Sequence, residues 1–422
     1  MMDVSATRRT IDAVWRIEST RLIATLTRLV GDMTLAEDLA QDAFVAALEQ
    51  WPRAGIPEQP GAWLMTTARR RAIDDHRRRL TLSRKQELML RDVELEQARG
   101  QPDLVAQIDR VPDDVLRLVF MTCHPILPRE ARVALTLRVV AGMSTTEIAR
   151  AFLVPDATVA QRIVRAKRTL VEAQVRFEAP GVDELRARLA AVLEVVYLIF
   201  NEGYAPTDGD VWVRPSVCAD AVRLGRMLAA LVPAEAEVHG LLALMELQAS
   251  RFAARQGPGG ELILLADQDR ARWDRLLIAR GLASLARAQR LGGTPGPYTL
   301  QAAIAACHSR AASVEGTDWP RIVALYDGLV ALTGSPVVEL NRAVAVAMAF
   351  GPQAGLELLE ELVDEPALRA YHLLPTVRAD LLLRLGRTSE ARAAFQQAAD
   401  LCGNDRERQL LLSRAHACGA TA

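Results

Sequence analysis

The segment from Met143 to Leu170 constrains the fold more than any other stretch, because it predicts two short helices joined by a tight turn. Ser144 or Thr145 is placed to cap the first helix. Glu147 follows a few residues later, where its carboxylate can accept hydrogen bonds from the unpaired backbone amides at the helix start. Pro155 cannot continue that helix but suits the start of a second one. The segment therefore predicts a helix, a turn of about three residues and another helix.

The second of these helices has an apolar face and a polar face at helical spacing. Its apolar positions predict the buried side and are Val159, Ile163, Ala166 and Leu170. Its polar positions are Thr158, Gln161, Arg162, Arg165 and Arg168. A short helix, a turn and a basic second helix form a motif that enters the DNA major groove. The alternative is an ordinary helical hairpin whose basic face is simply solvated.

The charge of the chain is balanced overall but uneven along the sequence. Its 422 residues carry a net charge of -1, which by itself argues against a nucleic-acid binder. However, arginines crowd two segments, 69–85 and 162–168, and local basic patches rather than the total set the field that attracts phosphates. This length predicts two to four domains with real cores.

Cysteine and histidine spacing argues against a metal site or a disulfide framework. The five cysteines are scattered and form no CxxC pair, and the six histidines form no HExxH pair. The mean hydropathy is +0.08, and no apolar run reaches the ~20 residues needed to span a bilayer. The N-terminus does not read as a signal peptide, so a cytoplasmic location is expected, with no membrane association.

Residues 10–50 predict two amphipathic helices. The first ends at Gly31, and the second opens with Thr34 as its cap. The polar side of the second helix is expected to point outward and consists of Glu37, Asp38, Gln41 and Asp42. This acidic face is either a solvated surface, which is the commoner case, or a docking site for a basic partner helix.

Proline and glycine then predict a loop over Trp51–Pro60, followed by a third helix rich in arginine. We expect Trp63 on its buried side and the arginine run facing solvent. Such a row of arginines suits contact with a nucleic-acid backbone, although the simpler interpretation is that it only keeps the protein soluble. The candidate nucleic-acid contacts here are Trp63, Arg69, Arg70, Arg71, Asp74, Arg77 and Arg78. Residues 80–112 are polar, mixed in charge and predict a mobile linker.

The long C-terminal part, beyond a boundary at Pro180-Gly181, is predicted to be helical throughout. Residues 381–401 match the tetratricopeptide pattern, with Gly386 at the tight packing point and Ala391, Phe395 and Ala398 on the second helix. One repeat earlier, Gly355, Leu359 and Leu362 occupy similar positions. Stacked hairpins would form a concave surface, whereas the alternative is a helical bundle without a groove.

A polar turn at 199–210 is the most unusual stretch of this part. It holds Asn201, Glu202, Tyr204, Asp208 and Asp210. It is either a ligand or partner site or a polar-capped connection between helices. The second interpretation is slightly favoured, since these are ordinary turn-forming residues.

Three of these segments, in this order, resemble a bacterial RNA polymerase sigma factor of the extracytoplasmic-function (ECF) class. Ala36–Phe44 (AEDLAQDAF) resembles sigma region 2.2, Ala62–Arg78 resembles regions 2.3 and 2.4, and Glu147–Arg168 resembles region 4.2. Two departures stand out. The family usually has Asn where this chain has Arg70, and Gly where it has Leu153, so the promoter contacts of relatives do not transfer one for one.

The resemblance implies partners and roles for the candidate residues. Region 2.2 residues bind the β′ clamp helices of core RNA polymerase, regions 2.3 and 2.4 melt and read the −10 element, and region 4.2 reads the −35 element beside the β flap. Within region 4.2, Arg162 and Gln161 are the types that bond to guanine and adenine edges, while Arg165 and Arg168 suit phosphates. No step needs a cofactor or a nucleophile from this chain, so it is not expected to be an enzyme.

The expected fold is all-α. Two small sigma domains occupy 8–79 and 113–177, joined by the linker at 80–112, and are followed by a helical extension at 178–295 and tetratricopeptide-like repeats at 296–422. The tail resembles that of one ECF group, in which it is thought to tune sigma activity through an intramolecular or protein partner. Two alternatives remain open: a ligand- or partner-sensing helix-turn-helix regulator that is not a sigma subunit, and an adaptor working through the repeats.

Overall fold

The computed structural model describes residues 4–83, 111–152, 154–178, 180, 182–204, 214–257, 263–403 and 405–420. Within these ranges the chain is helical and forms no β-strand, so the all-α prediction is confirmed. It divides into two compact units, residues 1–195 and 196–422. The division lies inside one helix, Val182–Tyr204. In the described part, no helix is both long and apolar enough to cross a bilayer.

The first unit opens with three helices: α1 (Val4–Val30), α2 (Met33–Ala54) and α3 (Pro60–Ser83). All three pack against one another. Apolar residues such as Leu26 and Leu64 are buried where they meet because they recur at helical spacing. Of the predicted linker at 80–112, residues 84–110 lie outside the described residues, so only its two ends are described. The first end is the last turn of α3, and the second belongs to the helix that begins at Val111.

Two helix boundaries differ from the sequence-based predictions. The cap of α2 is Asp32 rather than Thr34, because the Asp32 carboxylate accepts from the Thr34 and Leu35 amides at 2.7 and 3.2 Å. The predicted loop over Trp51–Pro60 is wrong in its first part, since α2 continues through Pro52 to Ala54. A proline in the last turn forfeits only one helical bond, and the buried Trp51 holds that turn in place.

The rest of the first unit contains α4 (Val111–Thr122), α5 (Arg129–Val139), α6 (Thr145–Ala151) and α7 (Asp156–Glu172). The last two are the predicted helix-turn-helix. The apolar positions predicted for the second helix, Val159, Ile163, Ala166 and Leu170, are all buried. Helix α7 packs against α5, and α4 packs against α1. The two halves of this unit are therefore in direct contact.

The second unit begins with the end of α8 (Val182–Tyr204), then α9 (Pro215–Leu231) and α10 (Ala236–Ala249). Nearly every residue of α10 is buried, which is typical of a helix surrounded by others. Its neighbours include α11 (Arg275–Leu291) and α12 (Pro297–Arg310). Six further helices follow: α13 (Trp319–Thr333), α14 (Pro336–Phe350), α15 (Pro352–Glu360), α16 (Leu373–Arg384), α17 (Thr388–Leu401) and α18 (Asp405–Ala420).

Helices α14 to α18 include the segment with the tetratricopeptide pattern. Ala391, Phe395 and Ala398 are fully buried, as the pattern predicts. The role predicted for Gly386 is wrong: it has φ of 77°, and a Cβ there would meet no atom within 4 Å, so it serves the turn and not the packing. Gly355 is the tight packing point, since its Cβ would lie 2.4 Å from the Ala347 Cβ.

Candidate nucleic-acid interface

The helix-turn-helix is held by a complete capping box at the start of α6. The Ser144 hydroxyl accepts from the Glu147 amide at 3.1 Å, and the Glu147 carboxylate accepts from the Ser144 amide at 2.7 Å. Asp156, at the start of α7, accepts from the Thr146 hydroxyl at 2.6 Å across the turn. The capping box fixes the start of α6, and the bond from Thr146 to Asp156 ties α6 to the start of α7. Leu153, the departure noted in the turn, lies outside the described residues.

The polar side of α7 forms one continuous surface, which we call the recognition arc. At about 100° per residue, its five side chains fall within an arc of about 120°. Gln161, Arg165 and Arg168 are exposed, while Thr158 and Arg162 are half-buried. Arg168 also pairs with Glu172 at 3.3 Å. The recognition arc is thus open on the opposite side of the helix from Val159 and Ile163.

The arginine helix α3 is less uniform than its sequence suggests. Trp63 is half-buried and meets Trp51 edge-on, with ring centroids 5.4 Å apart. Arg69 is half-buried near Arg28, and burial followed by that neighbouring charge lowers the pKa of Arg69. Arg71 pairs with Asp42 of α2 at 3.2 Å. These contacts show that parts of the arginine ladder pack against the protein itself.

The outermost positions of α3 remain available to a partner. Arg70 and Asp74 are exposed. Arg77 and Arg78 lie on the helix, but their side chains fall outside the described residues. Among the described side chains of α3, the free surface therefore includes Arg70 and Asp74.

The acidic side of α2 is divided between solvent and the protein interior. Asp38 and Asp42 are exposed and Gln41 is half-buried. The prediction that Glu37 points outward is wrong, because this residue is only 6% exposed. It faces the second half of the unit, where two basic side chains meet it.

Glu37 is the centre of an ion-pair cluster that joins α2 to α5 and α7. The Arg138 guanidinium donates to its Oε1 at 2.8 Å, and the Lys167 ammonium donates to its Oε2 at 2.7 Å. Gln41 adds a bond to Oε1 at 3.2 Å. Burial alone would raise the pKa of Glu37, but Lys167 and Arg138 outweigh it and hold that pKa below its usual range. Glu37 is therefore charged and fully engaged at neutral pH.

A second buried carboxylate completes the contact from the other side. Asp114 of α4 is 0% exposed and accepts from Arg28 of α1 at 2.9 Å. Its other oxygen accepts from Arg117 at 3.2 Å. The Thr20 hydroxyl of α1 also donates to the Val140 carbonyl at 2.6 Å. Each half of the unit thus contributes one buried carboxylate, Glu37 or Asp114, that pairs with at least one cation from the other half.

The polar turn at 199–210 is described only up to Tyr204. Glu202 pairs with Arg214 at 2.7 Å, and Tyr204 lies under Arg255, whose guanidinium carbon is 3.9 Å from the ring centroid. Asn201 bonds to Tyr197. These contacts are those of a connection tied to its surroundings. Asp208 and Asp210 lie outside the described residues.

In the described part of the second unit, three side chains of the kinds that bind metal ions lie close together, although their spacing in the sequence does not indicate it. One nitrogen, sulfur or oxygen atom from each of His372, Cys402 and Glu407 lies within 4.8 Å of the others. His372 Nε2 is 3.2 Å from the Glu407 carboxylate, and the Arg408 guanidinium donates to the Cys402 carbonyl at 3.1 Å. In this cluster His372 and Glu407 contact each other directly, while Arg408 bonds to the backbone of Cys402 and not to its thiol.

Comparison with known proteins defines the class. Residues 16–81 match the family model of Sigma-70 region 2, and residues 117–170 match that of Sigma-70 region 4. Residues 188–289 match a family of unknown function, DUF6596. An uncharacterized protein of Rhizobium meliloti (strain 1021) is 44% identical over 384 residues, which cover 90% of this chain and 89% of that protein.

The two sigma matches cover the arginine helix and the recognition arc in the expected order. The chain belongs to the sigma-70 family: it is an ECF-like sigma factor with a C-terminal extension. It acts in promoter-specific transcription and, as such a factor, binds core RNA polymerase and promoter DNA. The relative is itself uncharacterized, so it adds family membership but no activity.

Sequence reasoning missed the residues that hold the two halves of the first unit together. Arg138 and Lys167 were not among the candidates, although both contact a residue that was. Lys167 sits in a basic run with Arg165 and Arg168 and has the same residue type as many solvated positions. Its position about 160° from the centre of the recognition arc on α7 is the signal that separates it from them.

Proposed function

We propose that the recognition arc of α7 reads the −35 promoter element, while α3 binds the −10 element and α2 binds the polymerase. The observation that carries this proposal is the open recognition arc on a capped helix, in the same unit as an arginine helix anchored by Trp63. Major-groove recognition needs one rigid helix with several polar side chains on a single face. The fold supplies that geometry without any contribution from the second unit.

Within the recognition arc we assign base contacts to Gln161 and Arg162 and phosphate contacts to Arg165 and Arg168. Thr158 lies nearest the turn and contacts either a base or the backbone. Bidentate arginine–guanine and glutamine–adenine pairs discriminate between bases. Exposed arginines neutralise phosphates and carry little sequence information. This division predicts that base substitutions in the DNA affect the contacts of Gln161 and Arg162. It also predicts that salt affects the contacts of Arg165 and Arg168.

On α3 we assign the −10 contacts to the free surface that begins at Arg70. Trp63 and Arg69 are half-buried and act by holding the helix in place, and Arg71 is shared with Asp42. Arg70, Asp74, Arg77 and Arg78 are then the side chains that face the non-template strand. Basic side chains that track the DNA backbone suit single-stranded DNA.

On α2 the exposed carboxylates Asp38 and Asp42 support docking on a basic surface of the polymerase, with Gln41 between them and Glu37 beside them. Complementary charge of this kind chiefly sets orientation and association rate. We assign the β′ clamp helices of the polymerase as the partner of α2. We assign the β flap as the partner of the half of the first unit that carries α7. The C-terminal extension tunes this activity through an intramolecular or protein partner.

The alternative function is a helix-turn-helix regulator that senses a ligand or partner and does not act as a sigma subunit. It is favoured by the recognition arc and the long extension alone. It leaves the exposed carboxylates of α2 and the arginine helix without a role.

Binding to purified core polymerase without DNA tests the proposal. Full-length protein should bind, and Asp38→Asn combined with Asp42→Asn should weaken binding, most strongly at low salt. Glu49→Gln is the matched control, because Glu49 is also exposed on α2. Equal weakening by the control variant would contradict the assignment of the docking face.

The tuning role of the extension is tested by ending the chain after residue 195, at the boundary between the units. This truncation keeps the bond from Arg188 to the Phe120 carbonyl and the pairing of Glu194 with Arg129 and Arg132. A changed level of promoter-dependent transcription supports tuning. Unchanged transcription and core binding would refute it.

A further inference from the structure

The side chains of His372, Cys402 and Glu407, which we call the metal cluster, have no part in the proposed function. We propose that the metal cluster binds one divalent transition-metal ion of the zinc type, at the place where the last three helices of the second unit meet. This inference concerns the C-terminal extension alone. It does not depend on how the first unit binds DNA or the polymerase.

Each member of the metal cluster lies at the end of a helix. His372 directly precedes α16, Cys402 directly follows α17, and Glu407 belongs to the first turn of α18. The histidine and the cysteine are 30 residues apart in the sequence, so no spacing of the CxxC or HExxH kind indicates a metal site. The packing of these helices brings the three side chains together.

The distances within the metal cluster are those of atoms that face a common point. One donor atom from each residue lies within 4.8 Å of the others, and His372 Nε2 is 3.2 Å from a Glu407 carboxylate oxygen. In a tetrahedral zinc site, nitrogen and oxygen ligands lie about 3.4 Å apart, and a sulfur ligand lies about 3.6 Å from either. A shift of about 1 Å in the Cys402 sulfur therefore suffices to complete a set of three ligands.

The ring nitrogen of His372 gives an independent indication of a ligand. Nε2 is buried and makes no hydrogen bond within the described residues, although a Glu407 oxygen lies 3.2 Å away. A hydrogen bond requires the acceptor to lie along the N–H direction, and the Glu407 oxygen does not meet that requirement. A buried nitrogen without a hydrogen bond costs free energy, and a metal ion bound to Nε2 would offset that cost.

The ligand types select the kind of metal. Cysteine sulfur and histidine nitrogen bind zinc and related transition metals, whereas Mg²⁺ and Ca²⁺ prefer oxygen ligands. One thiolate and one carboxylate together balance the charge of a divalent ion. Three protein ligands leave a fourth tetrahedral position for water or a small molecule.

Neighbouring contacts hold the cysteine in place. The Arg408 guanidinium donates to the Cys402 carbonyl at 3.1 Å and to the Asp405 carboxylate at 2.9 Å, so the end of α17 is tied to the start of α18. Cys402 itself is 2% exposed and belongs to the apolar core that α14 to α18 share. Contacts and apolar surroundings of this kind orient metal ligands and limit the access of water.

Titration of the metal-free, full-length protein with Co²⁺ and then Zn²⁺, without polymerase or DNA, tests the site. Co²⁺ should give a thiolate-to-metal charge-transfer band that saturates at one equivalent, and Zn²⁺ should displace it. Cys402→Ser should abolish the band and weaken Zn²⁺ binding more than about 100-fold, because losing an outer partner of a ligand alone costs about 10–100-fold. Zn²⁺ should also raise the thermal unfolding midpoint of the wild-type protein but not that of Cys402→Ser.

Cys418→Ser is the matched control for the cysteine. Cys418 is buried in the same apolar core, but it lies about 16 Å along α18 from Glu407. His416→Gln, at an exposed position of α18, is the control for His372→Gln. Both control variants should bind Co²⁺ and Zn²⁺ as the wild-type protein does.

Three results would overturn the inference: a wild-type protein without the band, a band of full strength in Cys402→Ser, or equal loss of the band in Cys418→Ser. If Cys402→Ser does not fold, His372→Gln and Glu407→Gln decide instead, because both positions are only half-buried. Each should weaken Zn²⁺ binding at least about tenfold, and unchanged binding by both would contradict the site. Because no polymerase or DNA is present, none of these results bears on the proposed function.

Discussion

Replacing Arg162 by alanine should remove discrimination at one base pair of the −35 element and leave the others unchanged. From Thr158 to Arg165 the recognition arc spans seven residues, about 10 Å along the helix axis at 1.5 Å per residue. At 3.4 Å per step this length matches about three base pairs. Arg162 lies near the middle of this stretch along the helix axis, next to Gln161, the other side chain assigned to a base edge.

The magnitude follows from the bond that is lost. A bidentate arginine–guanine contact is worth about 1–3 kcal/mol of discrimination, which corresponds to about 5- to 150-fold in affinity. Arg165→Ala should act differently, because a phosphate contact carries no sequence information. It should weaken all sites by a similar factor and reduce the salt slope of binding by about 0.9.

The assay is competition binding by the complex of this protein with core polymerase, on promoters substituted one −35 base pair at a time, at two or more salt concentrations. Arg176→Ala, outside the recognition arc, is the matched control. Arg162→Ala should bind the parent promoter and one substituted promoter equally. If it instead weakens every promoter by the same factor, Arg162 contacts a phosphate and the division of roles within the arc is wrong.

Three further predictions concern stability. Ser144→Ala removes the capping box and should lower the free energy of unfolding by ~1 kcal/mol, whereas Ser144→Thr should retain most of it, as thermal unfolding can measure. Gly355→Ala should cost about 1–3 kcal/mol, because its Cβ would lie 2.4 Å from Ala347 Cβ, whereas Gly328→Ala, with its nearest neighbour at 3.8 Å, should stabilise slightly. Burial, then Arg251 and Arg270, lower the pKa of His308 to about 4. The neutral ring therefore stabilises the second unit above pH ~6.5, and this stability should fall by up to about 3 kcal/mol as the pH drops toward 4. His308→Phe should flatten that dependence, and an unchanged slope would show that another group is responsible.

Local signals in the sequence predicted much of the fold, because they depend on residues close together in the chain. The capping box of Ser144 and Glu147 and the buried face of α7 need only spacings of three and four. Phe395 and its neighbours were placed correctly for the same reason. Asp32 and Thr34 are both residue types that cap helices, and their spacing alone does not decide between them. In the structure Asp32 caps α2.

Contacts between distant segments could not be predicted in the same way. An acidic residue at a helical surface position is usually solvated, so nothing near Glu37 indicates that Arg138 and Lys167 neutralise it. Glycine is similarly ambiguous, since Gly386 serves a left-handed turn and Gly355 a close helix crossing. The arrangement of the candidate side chains was therefore predicted best on the recognition arc, where all members belong to one helix.

The most direct test of the central claim is run-off transcription by purified core polymerase on a library of promoter DNA, with and without the full-length protein. The account predicts specific transcripts that start only when this protein is present and that decrease with Arg162→Ala. If the protein binds DNA in the absence of core polymerase and no transcript ever starts, the operator-binding regulator is the better explanation.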